Sequence, residues 1–172
     1  MTAAHSNRAY RRFEDVDWAN WIPQQRATLL FVICHGHMLL IHKKRGLGVG
    51  KTIGPGGRLA LGESALRGAI REVQEELGVT PTGAQQCGEL AFQFADGFSM
   101  LVYAFTATGC TGEPQDTDEA TPLWIPLDRI PYDKMWADDR VWLPLMLVGK
   151  TFHGRFLFDR DTMLGYELTV SP

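Results

Sequence analysis

The sequence predicts an α/β fold in which a central mixed sheet carries helices on both faces. Three observations predict it. Apolar runs of strand length come in pairs joined by turn residues, one well-capped amphipathic helix interrupts them, and a second helical pattern follows near the C-terminal end. The first pair is Thr28 to Cys34 and Met38 to His42, a hairpin around His35-Gly36-His37. Those two histidines are read as solvated turn residues, not as a metal clip. Cys87 to Phe94 and Met100 to Thr106 form a second hairpin around Ala95-Asp96-Gly97, and Leu123 to Ile125 reads as a short strand. Asp138 to Val148 has helical spacing in Val141, Trp142, Leu145 and Leu147, with Pro144 expected near its first turn. Phe152 to Phe158 and Gly165 to Val170 alternate about Asp159-Arg160-Asp161, a final hairpin.

The most informative stretch is Gly57 to Val79. Ser64 is a good helix N-cap and Gly78 a good C′ residue, so they bracket a helix of about three and a half turns. Leu66, Ile70, Val73 and Leu77 recur at helical spacing as the stripe expected to face the core. Glu72, Glu75 and Glu76 cluster within about 100° of arc, about 140° from that stripe. Like charges so placed repel one another, and on this helix only Arg71, four before Glu75, is placed to relieve them. An acidic helix face is ordinarily a solvated surface. Here Gly54, Gly56 and Gly57 precede the helix, where a tight bend aims a backbone carbonyl at a metal or amides at a phosphate. Carboxylates with waters and substrate phosphates suit Mg²⁺, or Mn²⁺, and no Cys or His cluster offers a softer site.

At 172 residues and 45% hydrophobic content the chain suits one domain, read as residues 28–172, after an N-terminal arm of residues 1–27. In the arm, Tyr10, Phe13, Trp18 and Trp21 are expected to make packing or dimer contacts, and the chain to be a monomer or homodimer. A net charge of −3 gives no footprint for long nucleic acid but is compatible with one metal-bound nucleotide. Cys34, Cys87 and Cys110 form no CxxC and suggest neither a disulfide framework nor zinc, which fits a reducing cytoplasm. No apolar run reaches membrane-spanning length and no signal-peptide core is present, so the expected location is cytoplasmic, with no membrane partner.

Gly57, Glu63, Arg71, Glu72, Glu75, Glu76 and Gly78 match the fixed positions of the Nudix box, and the chain is similar to the Nudix hydrolases. That resemblance implies the Nudix fold, an α-β-α sandwich, and metal-dependent cleavage of diphosphate bonds in nucleoside diphosphate derivatives. It implies a metal held by Glu72, Glu75, Glu76, the Gly56 carbonyl and Glu119, a box glutamate as base, left unassigned among the three, and Arg71 as part of the catalytic group. The run Lys43 to Lys51, then Ile130-Pro131, Met135 to Asp139 and Phe152-His153-Gly154, resembles one subfamily, the oxidised purine nucleoside triphosphatases (8-oxo-dGTP diphosphatases). The likeness runs from about Thr28 to about Val170. It implies attack at the β-phosphorus of a purine nucleoside triphosphate, releasing monophosphate and pyrophosphate, in service of a clean nucleotide pool.

The base pocket it implies comprises Thr28, Lys43, Leu47, Ile53, Phe92, Phe94, Met100, Trp136, Asp138 and Asp139. Trp136 is suited to stack on a purine, and the Asp138-Asp139 pair to bind its polar edge, one acid protonated and one not. The competing role for that pair is to cap the following helix. Lys43 meets phosphate or the base pocket, or faces solvent within its Lys-Lys-Arg run. Ile53 stands where the subfamily has Asn, removing a base-reading hydrogen bond and leaving open which modified purine is preferred. Alternatives are another Nudix activity (ADP-ribose, dinucleoside polyphosphate or RNA 5′ ends) and a non-catalytic nucleotide-binding module. The proline typical of ADP-ribose enzymes is replaced by Ala95, the tyrosine of dinucleoside polyphosphate enzymes is missing near Asp96, and the intact glutamates oppose a non-catalytic role.

Overall fold

The computed structural model describes residues 10–171; residues 1–9 of the arm lie outside the described residues. Eleven strands and two α-helices follow in the order β1 (Gln25–Cys34), β2 (His37–Lys43), β3 (Thr52–Ile53), β4 (Gly56–Arg58), α1 (Ala65–Leu77), β5 (Thr80–Thr82), β6 (Gln85–Phe94), β7 (Ser99–Ala107), β8 (Gly109–Thr111), β9 (Ala120–Pro126), α2 (Asp139–Leu147), β10 (Thr151–Asp159) and β11 (Thr162–Ser171). Nine of the strands form one sheet in the order β11-β10-β6-β7-β1-β2-β3, with β4 also on β1 and β9 on β2. β1 with β7 and β10 with β6 are parallel and the other pairs antiparallel, so the sheet is mixed.

Alternation along the central strands sends side chains to two separate cores. Leu30, Val32, Phe105 and Ala107 meet Ala69, Val73 and Leu77 of α1 on one face. Phe31, Val102, Ala104, Phe152 and Phe156 meet Trp142, Leu143 and Met146 of α2 on the other. The helices therefore cover opposite faces, as the sequence predicts.

The three expected hairpins all form. His35 (φ 52°) and Gly36 (φ 73°) make the first turn with left-handed backbone, and His37 Nδ1 lies 2.8 Å from the His35 carbonyl oxygen, so both histidines serve the turn. Several boundaries differ from the expectation for a common reason, that pairing extends a strand past its apolar pattern. β1 begins at Gln25, which pairs with Met100, so residues 25–27 belong to the sheet and not to the arm. β9 runs the length of β2, well beyond Leu123–Ile125.

Helix α1 is capped as expected: Ser64 Oγ accepts from the Arg67 amide at 3.3 Å and Gly78 adopts φ 72°. Its buried face is rotated from the expected stripe. Leu66 is 44% exposed, while Gly68, Ala69 and Glu76 are buried with Val73 and Leu77. Small residues set this rotation, since a Cβ on Gly68 would stand 2.1 Å from Leu59 Cδ2. Pro144 also departs from expectation, lying sixth of nine residues in α2. The donor it lacks would have served the carbonyl of Arg140, and both residues are exposed, so water is available there.

The described part of the arm packs on its own domain. Phe13, Trp18 and Trp21 pack in series as tilted rings with centroids 5.2 and 5.8 Å apart, and Trp21 Nε1 donates to Gln93 Oε1 at 2.9 Å. Among the described residues, no helix is long and apolar enough to cross a membrane.

Candidate active site

A cavity of about 960 Å³ opens on the face covered by α2 and runs from the acidic edge of α1 to the start of α2. Its acidic end is built on the glycine strand β4. Gly56 lies against β1 so closely that a Cβ would stand 1.8 Å from the Thr28 carbonyl oxygen, and its amide donates to Glu76 Oε1 at 2.8 Å. Gly57 is equally constrained, a Cβ there meeting the Glu72 carboxylate at 2.3 Å. The glycines thus let two glutamates lie directly over the backbone of β4.

The three helix glutamates are not equivalent. Glu76 is 3% exposed, and burial pushes its carboxyl up to about 7 despite the Gly56 amide and the nearby Lys43. The Glu72 carboxyl is also raised, first by burial, against the pull of Arg71. Glu72, Glu76 and Glu119 line the cavity with Gly56, whereas Glu75 does not line it and has a half-exposed side chain. Arg71 does not line the cavity. It donates to both Glu63 oxygens (2.7 and 2.9 Å), to Glu72 (2.9 Å), to Glu75 (3.0 Å) and to the Arg58 carbonyl (3.0 Å). Glu63 in turn accepts from the Ala60 amide at 2.9 Å, and its carboxyl is held down at about 2, chiefly by Arg71. Arg71 therefore positions carboxylates, fixing the loop before α1 and Glu72 with one guanidinium.

Among the described residues, no three His, Cys, Asp or Glu side chains form a cage that would hold a metal ion unaided. The donor set nevertheless fits a hard cation. Two desolvated carboxylates, Glu72 and Glu76, repel each other and Glu119, all ligands present are oxygens, and each of the two has one oxygen engaged and one left over. Such a site completes its shell with water and substrate phosphate, as Mg²⁺ sites commonly do.

At the other end Asp138 and Asp139 are 2% and 6% exposed. Neither caps α2 in the way weighed from sequence: Asp138 has helical backbone (φ −73°, ψ −25°) and makes no side-chain cap bond. Instead Asp138 Oδ2 accepts from Trp142 Nε1 at 2.8 Å, a partner one helical turn on. Burial raises both carboxyls, that of Asp138 to about 6 and that of Asp139 well above its ordinary value, with the charge of Asp138 adding to the latter. Trp136 stands edge-on to Phe94 and Phe158, its ring held by Lys51 at 5.0 Å.

Thr28, Lys43, Leu47, Ile53, Phe92, Phe94, Met100, Trp136, Asp138 and Asp139 all line this one cavity, so the structure brings the sequence-predicted pocket together. Thr28 Oγ1 is buried there without a hydrogen-bond partner. Sequence reasoning missed Phe98 and Phe158 on the walls, and it missed Trp142 as the partner of Asp138, although an i, i+4 pair in the predicted helix was a readable signal.

The NUDIX domain family matches residues 23–146. The chain belongs to the Nudix family. Members generally need divalent metal, in keeping with the acidic end of this Nudix cavity. The domain is 41% identical over 143 residues to the oxidized purine nucleoside triphosphate hydrolase of Danio rerio, spanning 82% of this chain and 92% of that protein. It is 39% identical over the same length to the mouse protein of that name. A mutator MutT protein from Bacillus halodurans superposes with a TM-score of 0.74 at 29% identity, over 84% of this chain and 97% of that one.

Proposed function

We propose that this Nudix domain hydrolyses oxidised or otherwise modified purine nucleoside triphosphates to the monophosphate and pyrophosphate, with Mg²⁺ as its cation. The observation that carries the reading is the buried Asp138-Asp139 pair sharing one cavity with Glu72, Glu76 and Glu119. An acid pair at one end reads hydrogen-bonding atoms, an acid cluster at the other handles a triphosphate, and aromatic walls lie between. The oxidised purine nucleoside triphosphate hydrolases of zebrafish and mouse support the same assignment.

Glu72, Glu76, Glu119 and the Gly56 carbonyl would hold a divalent cation, which when bound would supply neutralisation of the triphosphate charge and activation of water. The protein does the rest by placement. The Gly56 amide holds Glu76, and Arg71 holds Glu72, so neither carboxylate swings away. Lys43 carries positive charge into the cavity beside Glu76. At the base end the Trp142 donor stabilises the ionised form of Asp138, which makes Asp138 the acceptor, and burial together with the charge of Asp138 keeps Asp139 protonated as the donor. A donor and an acceptor side by side match the altered edge of a purine whose tautomer has changed. Ile53, apolar where an amide would select further, broadens that choice.

The test is kcat/KM with Mg²⁺ for 8-oxo-dGTP, 2-hydroxy-dATP, N6-methyl-dATP and dGTP, with ADP-ribose as control. Preference for a modified purine supports the reading. Equal rates on all four, or faster turnover of ADP-ribose, refutes it.

A further inference from the structure

The walls of the base end come largely from the β6–β7 hairpin, whose turn holds Phe94 and Phe98 against each other at 5.6 Å. On the opposite face of that hairpin lies Gln93, 4% exposed with its amide fully used. Its Nε2 donates to the carbonyls of Phe94 (3.0 Å) and Phe98 (3.2 Å), tying the two sides of the turn together. Its Oε1 accepts from Trp21 Nε1 at 2.9 Å. Three residues further along the arm, the Gln24 amide donates to the buried Ser99 Oγ at 3.0 Å and Gln24 Nε2 donates to the Gly97 carbonyl at 3.1 Å. The arm then enters β1, where Gln25 pairs with Met100.

These contacts fall on a single turn. Gly97 has φ 101° and the Asp96 carboxylate caps the Phe98 amide at 2.9 Å, while the Ala95 amide donates to the Phe158 carbonyl of β10 at 2.8 Å, so besides the arm the turn is held by local bonds and by this one tie to β10. Trp21 is itself held in place by Trp18, which packs against it at a tilt, donates to the Phe13 carbonyl at 3.3 Å and lies under the Arg155 guanidinium at 5.9 Å. Trp21 lies just outside the segment matched to the family, residues 23–146, and Gln24 just inside it.

We propose that Trp21 and Gln24 are positioning residues for purine recognition: from the far side of the sheet they fix the Phe94–Ser99 turn, and with it the Phe94, Phe98 and Met100 walls of the pocket. The inference rests on the purine triphosphatase reading above. It differs from a merely structural role in what should move. Trp21→Phe keeps the ring in the aromatic series and removes the donor, which leaves the buried Gln93 oxygen unpaired and loosens the turn. Gln24→Ala, in an exposed position, removes only the bond to Gly97 and tests the same idea where folding is less at risk.

Two measurements on the full chain test it together: backbone hydrogen exchange, and kcat and KM for the preferred purine triphosphate. In Trp21→Phe, exchange should accelerate at residues 94–99 and stay unchanged in α1, and KM should rise about three- to tenfold, the range set by one neutral hydrogen bond, with kcat within about twofold. Gln24→Ala should change both quantities in the same directions by less. Unchanged exchange at 94–99, or kcat falling in step with a uniform rise in exchange, overturns the proposal. Wild-type protein inactive on every purine triphosphate defeats the reading it rests on. An active wild type with an unaltered KM in both variants defeats this inference alone.

Discussion

Replacing Asp138 by Asn separates the energetic cost of the base-reading pair from its use. The Asp138 carboxyl is raised from its ordinary 3.8 to about 6 because it is buried, with Trp142 opposing the rise. A folded-state value above the unfolded one means that the folded protein binds the extra proton between the two. The associated stability is fully present below pH 3.8 and lost as pH climbs through about 6. At about 1.4 kcal/mol per pH unit, ionising Asp138 in place costs up to about 3 kcal/mol at neutral pH. Asn keeps an oxygen to accept from Trp142 Nε1 and carries no charge, so it escapes that loss. Urea unfolding of both proteins from pH 4 to pH 8 should therefore show a stability difference near zero at the acid end that grows in favour of Asp138→Asn and levels off above about pH 6. The same variant should lose preference among purines more than it loses cation affinity. A difference independent of pH, or one that grows in favour of the wild type, refutes the argument that this carboxyl is destabilised by burial.

Three further outcomes follow from the site. Glu76→Gln keeps an acceptor for the Gly56 amide and so should fold normally, while steady-state turnover falls by about a hundredfold or more because a charged cation ligand is gone. Ile53→Asn restores an amide to the base pocket and should shift relative kcat/KM among modified purines by about two- to tenfold, read from the same substrate panel. Gly56→Ala places a methyl 1.8 Å from the Thr28 carbonyl oxygen, which no rotamer relieves, so thermal unfolding should show a loss of about 3 kcal/mol or more as β4 parts from β1.

What could be read from sequence depended on whether a residue's role is local. The caps at Ser64 and Gly78 and the hairpin alternations are local, and they form as expected. The rotation of α1 is not, since it depends on how closely Gly68 approaches Leu59, and the apolar spacing alone pointed to Leu66 instead of Ala69. β3, β4, β5 and β8 are two or three residues long and carry glycines, proline or threonines, so no pattern marks them, yet β4 supplies the backbone under Glu72 and Glu76. Helical spacing put Glu72, Glu75 and Glu76 on one face. It did not show that Glu76 would be buried on an amide and Glu75 left outside, because that inequality comes from β4. The contacts of Trp21 and Gln24 join residues more than seventy positions apart and leave no trace in sequence spacing.

The two ends of the cavity are linked by a shared physical cause with opposite uses. Burial raises Glu76 at the phosphate end and both aspartates at the base end, so each end tends to hold a proton in the free protein. At the phosphate end that proton is in the way: Glu76 must lose it to bind a cation, so cation affinity of the nucleotide-free protein should fall about tenfold per pH unit below about 7, where its carboxyl titrates. At the base end the proton is the donor, and raising pH removes it from Asp139, whose neighbour Asp138 is already ionised and held so by Trp142. The acid limb of activity against pH therefore begins with Glu76 near 7 and is joined by Asp138 near 6, while the alkaline limb belongs to Asp139. Asp139→Asn supplies a permanent donor, so it should flatten the alkaline limb of kcat/KM while leaving the acid limb where it was. If it moves both limbs, or neither, then the base end does not carry the proton that the burial of these two carboxyls assigns to it.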